Sequence, residues 1–216
     1  IIIMLLYYYT KRTERNNMKP PVAQQIPYET TIHGQDRVDN YHWIRLTDKQ
    51  KLAKNIEGWP DDQTMQVVDY IKKENDYTKA QLRHTNNLQK KLYSEIISRI
   101  KKEDVSVPYL DNNYWYYTRY EKGKEYPIYC RKKESLENLE EVMIDVNEWA
   151  KGHDYFSLTN LSVSPNNKFL AFGVDTLSRR IYTIKIKDLQ TGELLMDEIH
   201  GTQGAVAWAN DNATFF

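Results

Sequence analysis

The chain is 216 residues long, with Lys+Arg and Asp+Glu balanced at 30 each, so it lacks the charge excess that nucleic acids or anionic membranes attract. A hydrophobic content of 40% permits a packed core. The single cysteine, Cys130, excludes an intramolecular disulfide and suits a reducing compartment, from which a cytoplasmic location is expected.

Residues 1–17 begin IIIMLLYYY, a run too short to span a bilayer, and the basic residues Lys11, Arg12 and Arg15 follow it where a secretory signal carries them in front. Met18 is the more natural start, and residues 1–17 are expected to lie outside the native fold. From Pro20 to Pro27 the prolines hold the backbone extended, as an arm laid across another surface. His33, Asp36, Asp39 and His42 then recur at intervals of three and are all possible metal ligands. Gly34 and the turn-forming Asp39-Asn40 argue against one helix presenting them together. The expectation is polar turns, with Tyr41 and Trp43 as buried anchors and no metal or cofactor site.

Residues 61–103 carry a helical period. Asp61, Asp62 and Thr64 suit an N-terminus, after which Met65, Val68 and Ile71, or Val67 with Ile71, fall on one face. Leu88, Leu92, Ile96 and Ile100 form a stronger stripe, flanked by Tyr93 and Ile97, that should pack on something. Lys90, Lys91, Arg99, Lys101 and Lys102 surround it, but the interleaved Glu95, Glu103 and Asp104 make that side a solvated face and no nucleic-acid groove.

From Val105 the period becomes that of strands. Val107–Leu110, Tyr114–Tyr120, Tyr126–Tyr129 and Val142–Asp145 are separated by the turns Asp111-Asn112-Asn113 and Lys122-Gly123-Lys124, and a short helical turn at Asn147–Lys151 closes at Gly152. The tyrosines are read as packing between sheets, in preference to a stacking platform for bases or sugars. Cys130, in one of these strands, is read as a buried, inert thiol. Phe169–Val174 and Ile181–Ile186 continue the pattern. Val163-Ser164-Pro165-Asn166-Asn167-Lys168 is echoed by Trp208-Ala209-Asn210-Asp211-Asn212-Ala213 at an offset of 45 positions. Propeller blades, each a four-stranded antiparallel sheet, repeat every 40 to 50 residues or so. These residues are expected to be the opening blades of a β-propeller that the chain, ending at Phe216, leaves unfinished.

No nucleophile elbow, phosphate loop, H-E-x-x-H or paired C-x-x-C occurs. Gly201-Thr202-Gln203-Gly204 has the letters of a GXXG clamp without its helical setting. His153, Asp154 and Ser157 have the residue types of a catalytic triad, but closeness in sequence is not triad geometry. No catalytic, cofactor-binding or metal-binding residue is assigned.

PPVAQQIP, RVDNYHW (37–43), SVPYLDNNYWYYTRYEKGKEYPIYCRKK (106–133), DVNEWAKGHDYFSL (145–158), SVSPNNKFLAFGVDT (162–176) and WANDN (208–212) closely resemble the N-terminal third of the oligopeptidase B group of the prolyl oligopeptidase family of serine peptidases. The link from Leu46 to Pro60 is longer here than in that family. The resemblance implies a fold that is mainly β with an N-terminal α-helical arm, in which residues 18–104 brace an α/β-hydrolase domain and residues 105–216 are the first of seven blades. It further implies hydrolysis of short peptides after arginine or lysine, a propeller that restricts entry, and a serine triad on a hydrolase domain not contained in residues 1–216. Short basic peptides and that hydrolase domain, in cis, are the implied partners.

Overall fold

The computed structural model describes residues 18–53 and 61–216; the expected extension at 1–17 and the Gly58-Trp59-Pro60 part of the long link lie outside them. The chain divides into two compact units, with the boundary between Ser98 and Arg99.

In the first unit, β1 (Tyr28–Ile32) and β2 (Gln35–Asp39) form a hairpin. Its two-residue turn is His33-Gly34, both with positive φ (54° and 75°), as the tight turn of a right-twisted hairpin requires. Thus a hairpin stands where the sequence suggested polar turns: the pairing supplies the order that alternation of side chains does not, since β2 is exposed throughout. The proline-rich arm is tied back onto this unit. Trp43 Nε1 donates to the Gln24 carbonyl at 2.8 Å, and the Ile26 amide to the Asn40 carbonyl at 2.9 Å. Trp43 also receives Gln63 Nε2 on its own carbonyl at 2.9 Å and meets the Tyr70 ring edge-on at 6.0 Å, so it anchors the arm while itself only half-buried. Tyr41 is not one; it is exposed, because its ring turns outward to take a hydrogen bond from Gln25 at its hydroxyl.

The helix α1 (Asp48–Leu52) opens with a reciprocal capping box between Thr47 and Gln50. Next, α2 (Asp62–Leu82) is capped by Asp61, whose carboxylate accepts from the Thr64 amide at 2.8 Å. That bond, aided by Gln50, holds the Asp61 carboxyl below its usual range against the opposing effect of burial. The buried face of α2 is centred on Thr64 and Val67, not on Met65 and Ile71, which are exposed. Thr64 can be buried because its hydroxyl also bonds the Asp61 carboxylate, at 3.1 Å. In α3 (Asn86–Arg99) no residue is buried, and Leu88, Leu92 and Ile96 are all exposed; Ile100 falls just past the helix end.

The second unit holds two antiparallel sheets. The first combines β3 (Asp104–Val105), β4 (Tyr109–Asp111), β5 (Tyr114–Tyr120), β6 (Ile128–Lys133) and β7 (Glu140–Asp145). Both β3 and β4 pair with the same edge of β5, so they form one edge strand interrupted near Pro108, which has no amide to donate. Ser106 patches the gap, its hydroxyl accepting from the Thr118 amide at 2.9 Å. After the short helix α4 (Val146–Trp149), the second sheet runs β8 (Ser157–Val163), β9 (Phe169–Asp175), β10 (Tyr182–Asp188) and β11 (Leu194–Thr202) in consecutive order, a four-stranded meander.

The core lies between the two sheets. Tyr116, Met143 and Ile144 from the first sheet and Val146 of α4 meet Leu170, Phe172 and Val174 of β9, with Tyr114, Tyr126 and Tyr129 packed alongside. This is what the tyrosine density is for: a ring fills the gap between sheets while its hydroxyl reaches polar surroundings. Full burial of side chains this size stabilises by roughly 1.5–3 kcal/mol each. Cys130 is fully buried beside Tyr117 and Ile128, and burial pushes its thiol up to about 11, an unreactive environment.

Candidate functional site

The 45-residue echo appears in the backbone itself. The Ser164 amide bonds the Phe169 carbonyl at 2.8 Å and the Asn167 amide the Ser164 carbonyl at 2.8 Å. The Ala209 amide bonds Thr214 at 2.8 Å and the Asn212 amide bonds Ala209 at 3.3 Å, the same two bonds 45 positions on. Asn167 and Asn212 share a φ of 61°, and Asn113 of the upstream Asp-Asn-Asn turn has 66°. Asparagine tolerates this left-handed conformation better than other residues with a Cβ, which is why it recurs at these tips.

The three turns are stitched to one another. Asn112 Nδ2 donates to the Pro165 carbonyl at 2.6 Å, Asn167 Nδ2 returns a bond to the Asn112 carbonyl at 3.2 Å, and the Asn166 amide donates to Asn212 Oδ1 at 2.7 Å. Beneath them lies Arg131, 3% exposed. It donates to Glu141 at 2.8 Å and to the Asn167 carbonyl at 3.0 Å, and its guanidinium sits 4.1 Å from the centre of the Tyr114 ring. Farther along, Lys187 crosses between sheets to the Met143 carbonyl at 2.8 Å, with burial lowering its pKa.

Between the sheets, below the asparagine turns, a cleft of about 410 Å³ is lined by Tyr109, Asp111, Tyr116, Tyr129, Leu161 and Val163 among others. Tyr109 and Tyr116 are paired in register and their rings stack at 5.5 Å. Burial raises the hydroxyl pKa of both, and the Asp111 charge adds to the effect; at Tyr116 the nearby Arg131 opposes it. The cleft was not legible beforehand, because it needs residues from β4, β5, β6 and β8 together.

At the opposite end of β9, the buried Asp175 carboxylate accepts from the amides of Leu177, Arg179 and Arg180 at 2.8–2.9 Å, fixing the loop to β10. Gly201–Gly204 is a packing element. A Cβ on Gly173 would stand 2.7 Å from Gly204 Cα, so the two backbones meet where no side chain fits.

The other sequence candidates do not gather into one site, although Asp39 and His42 are neighbours. His33 is at the hairpin tip; Asp36 accepts from Thr31 Oγ1 at 2.7 Å; Asp39 takes the Tyr41 amide at 2.9 Å and lies 3.9 Å from His42, which stacks on Tyr28 at 3.8 Å. His153 and Asp154 are exposed on the loop before β8, and Ser157 begins that strand opposite Asp175. Among the described residues no group of three or more His, Cys, Asp or Glu could hold a metal ion, and no helix is long and apolar enough to cross a membrane.

Repeated antiparallel sheets packed face to face, with matching turns at a 45-residue interval, define a β-propeller domain. The family model described as "Prolyl oligopeptidase, N-terminal beta-propeller domain" matches residues 20–216. The chain belongs to the prolyl oligopeptidase family. It is 35% identical to dipeptidyl aminopeptidase BI of Pseudoxanthomonas mexicana over 91% of its own length and 28% of that protein's, and 32% identical to protease 2 of Moraxella lacunata over 88% and 26%. Oligopeptidase B of Leishmania major superposes with a TM-score of 0.73 at 31% identity, over 88% of this chain and 27% of that one. The chain therefore spans about a quarter of the length of these relatives.

Proposed function

We propose that this chain is the N-terminal part of a serine oligopeptidase that hydrolyses short peptides after arginine or lysine. Residues 18–104 serve to brace an α/β-hydrolase domain, residues 105–216 are the first of seven blades, and the ring restricts entry to short, unfolded peptides. The reacting serine, with the histidine that deprotonates it and the aspartate that orients the histidine, belongs to the hydrolase domain and to none of residues 1–216. The whole protein acts in the cytoplasm on short basic peptides. The observation that supports this reading is the match of residues 20–216 to the family's propeller domain, joined to its likeness to oligopeptidase B.

The test is an assay of the complete gene product on reporters ending in arginine, lysine and proline. Cleavage after arginine and lysine, abolished by a serine-directed inhibitor, is expected, while the 216-residue chain alone is inactive. A coding sequence without a G-x-S-x-G elbow between strand and helix would instead leave a propeller used only for binding.

A further inference from the structure

The cleft below the asparagine turns has a chemical character that sheet packing does not require. Tyr109 and Asp111 are alternate residues of β4 and so face the same side, toward the second sheet. Tyr109 remains 62% exposed although its ring stacks on Tyr116, and one flat face of aromatic wall is left open. The Asp111 side chain is exposed and has no ion-pair or hydrogen-bond partner among the described residues, and it also lines the adjoining cleft that runs under Asn112 and Asn167. The cations nearby are already engaged: Arg131 by Glu141, Asn167 and the Tyr114 ring, Lys187 by the Met143 carbonyl. An unpaired carboxylate beside aromatic faces attracts a cation twice, through charge and through the ring quadrupole.

We infer that the cleft formed by Tyr109, Asp111 and Tyr116 binds an alkylguanidinium or alkylammonium group, such as an arginine or lysine side chain. The cation lies over the Tyr109 ring and meets the Asp111 carboxylate, while its aliphatic stem packs along Leu161 and Val163. The site requires no turnover and stands whether or not the complete protein cleaves peptides.

Calorimetric titration of the full chain with N-acetylarginine amide, its neutral isostere N-acetylcitrulline amide, and agmatine tests this. Saturable binding of the arginine compound is expected, with the citrulline compound about tenfold weaker or more, as loss of a charge-assisted contact implies. Agmatine separates the sources: equal binding means that the cationic group alone is read, and weaker binding that the peptide backbone contributes, both consistent with the site. Asp111→Asn, an isosteric change at an exposed position, should bring the arginine and citrulline compounds to equal affinity, and Tyr109→Leu should weaken arginine severalfold. The inference is overturned by equal arginine and citrulline binding to the unaltered chain. It fails equally if arginine binding persists unchanged in both variants, or if no saturable binding occurs at millimolar concentrations.

Discussion

The two units of this chain handle their apolar residues in opposite ways. In the sheet unit, Leu170 and Phe172 are fully buried against a neighbouring sheet. In the helical unit, the best amphipathic stripe, on α3, buries nothing. The sheets therefore find their partner within residues 99–216, while the α3 face keeps an apolar surface that its own unit does not cover. An equally clear hydrophobic pattern thus says only that a face is meant to be covered; it does not say by what.

Truncation mutants break or sharpen that contrast. Phe172→Ala should cost about 3–5 kcal/mol in urea unfolding of the 216-residue chain, whereas Leu92→Ala should fall within about 0.5 kcal/mol. Equal costs would mean that α3 is covered after all. In the complete protein Leu92→Ala is expected to become the more costly of its two measurements, and an unchanged small value would remove the proposed bracing role.

Gly173→Ala should destabilise by roughly 1–3 kcal/mol, read as a lower melting temperature, since the new methyl meets the Gly204 backbone and not a side chain that can swing aside. Thiol labelling gives a qualitative check on the same core. Cys130, buried and pushed up to about 11, should resist a disulfide reagent at pH 8 in the folded chain and react at once in denaturant. Prompt labelling of the native protein would show that the sheet opens readily.

The smallest effect belongs to the helical unit. The Asp61 carboxyl has a folded pKa below its unfolded one, so its cap stabilises α2 above the unfolded value and is lost as pH falls through the lowered folded value. Helical circular dichroism should decline in acid for the native chain, and Asp61→Asn, which keeps an acceptor but does not titrate, should flatten that part of the curve.

Much of this was readable from residue order. The strands around Tyr114–Tyr120, Phe169–Asp175 and Tyr182–Asp188, the Asp61 cap, the buried thiol and the 45-position repeat follow from local rules: alternation of side chains, capping chemistry, and turns that need left-handed asparagines; β8 is not among the strands so read. The β1–β2 hairpin escaped because its strands are exposed on nearly every residue, leaving no hydrophobic alternation to read. The inward face of α2 escaped because helical spacing admits several neighbouring faces, and only contact selects Thr64 and Val67.

By itself, then, the sequence determined the local elements and the repeat, since these depend on residues close along the chain. Tertiary structure alone decided which faces meet: that Arg131 lies under Asn167, that Gly173 touches Gly204, and that Tyr109 and Asp111 open onto a cleft with Leu161 and Val163. Such contacts join residues tens of positions apart, and close packing between sheets, which no local propensity encodes, is what selects them.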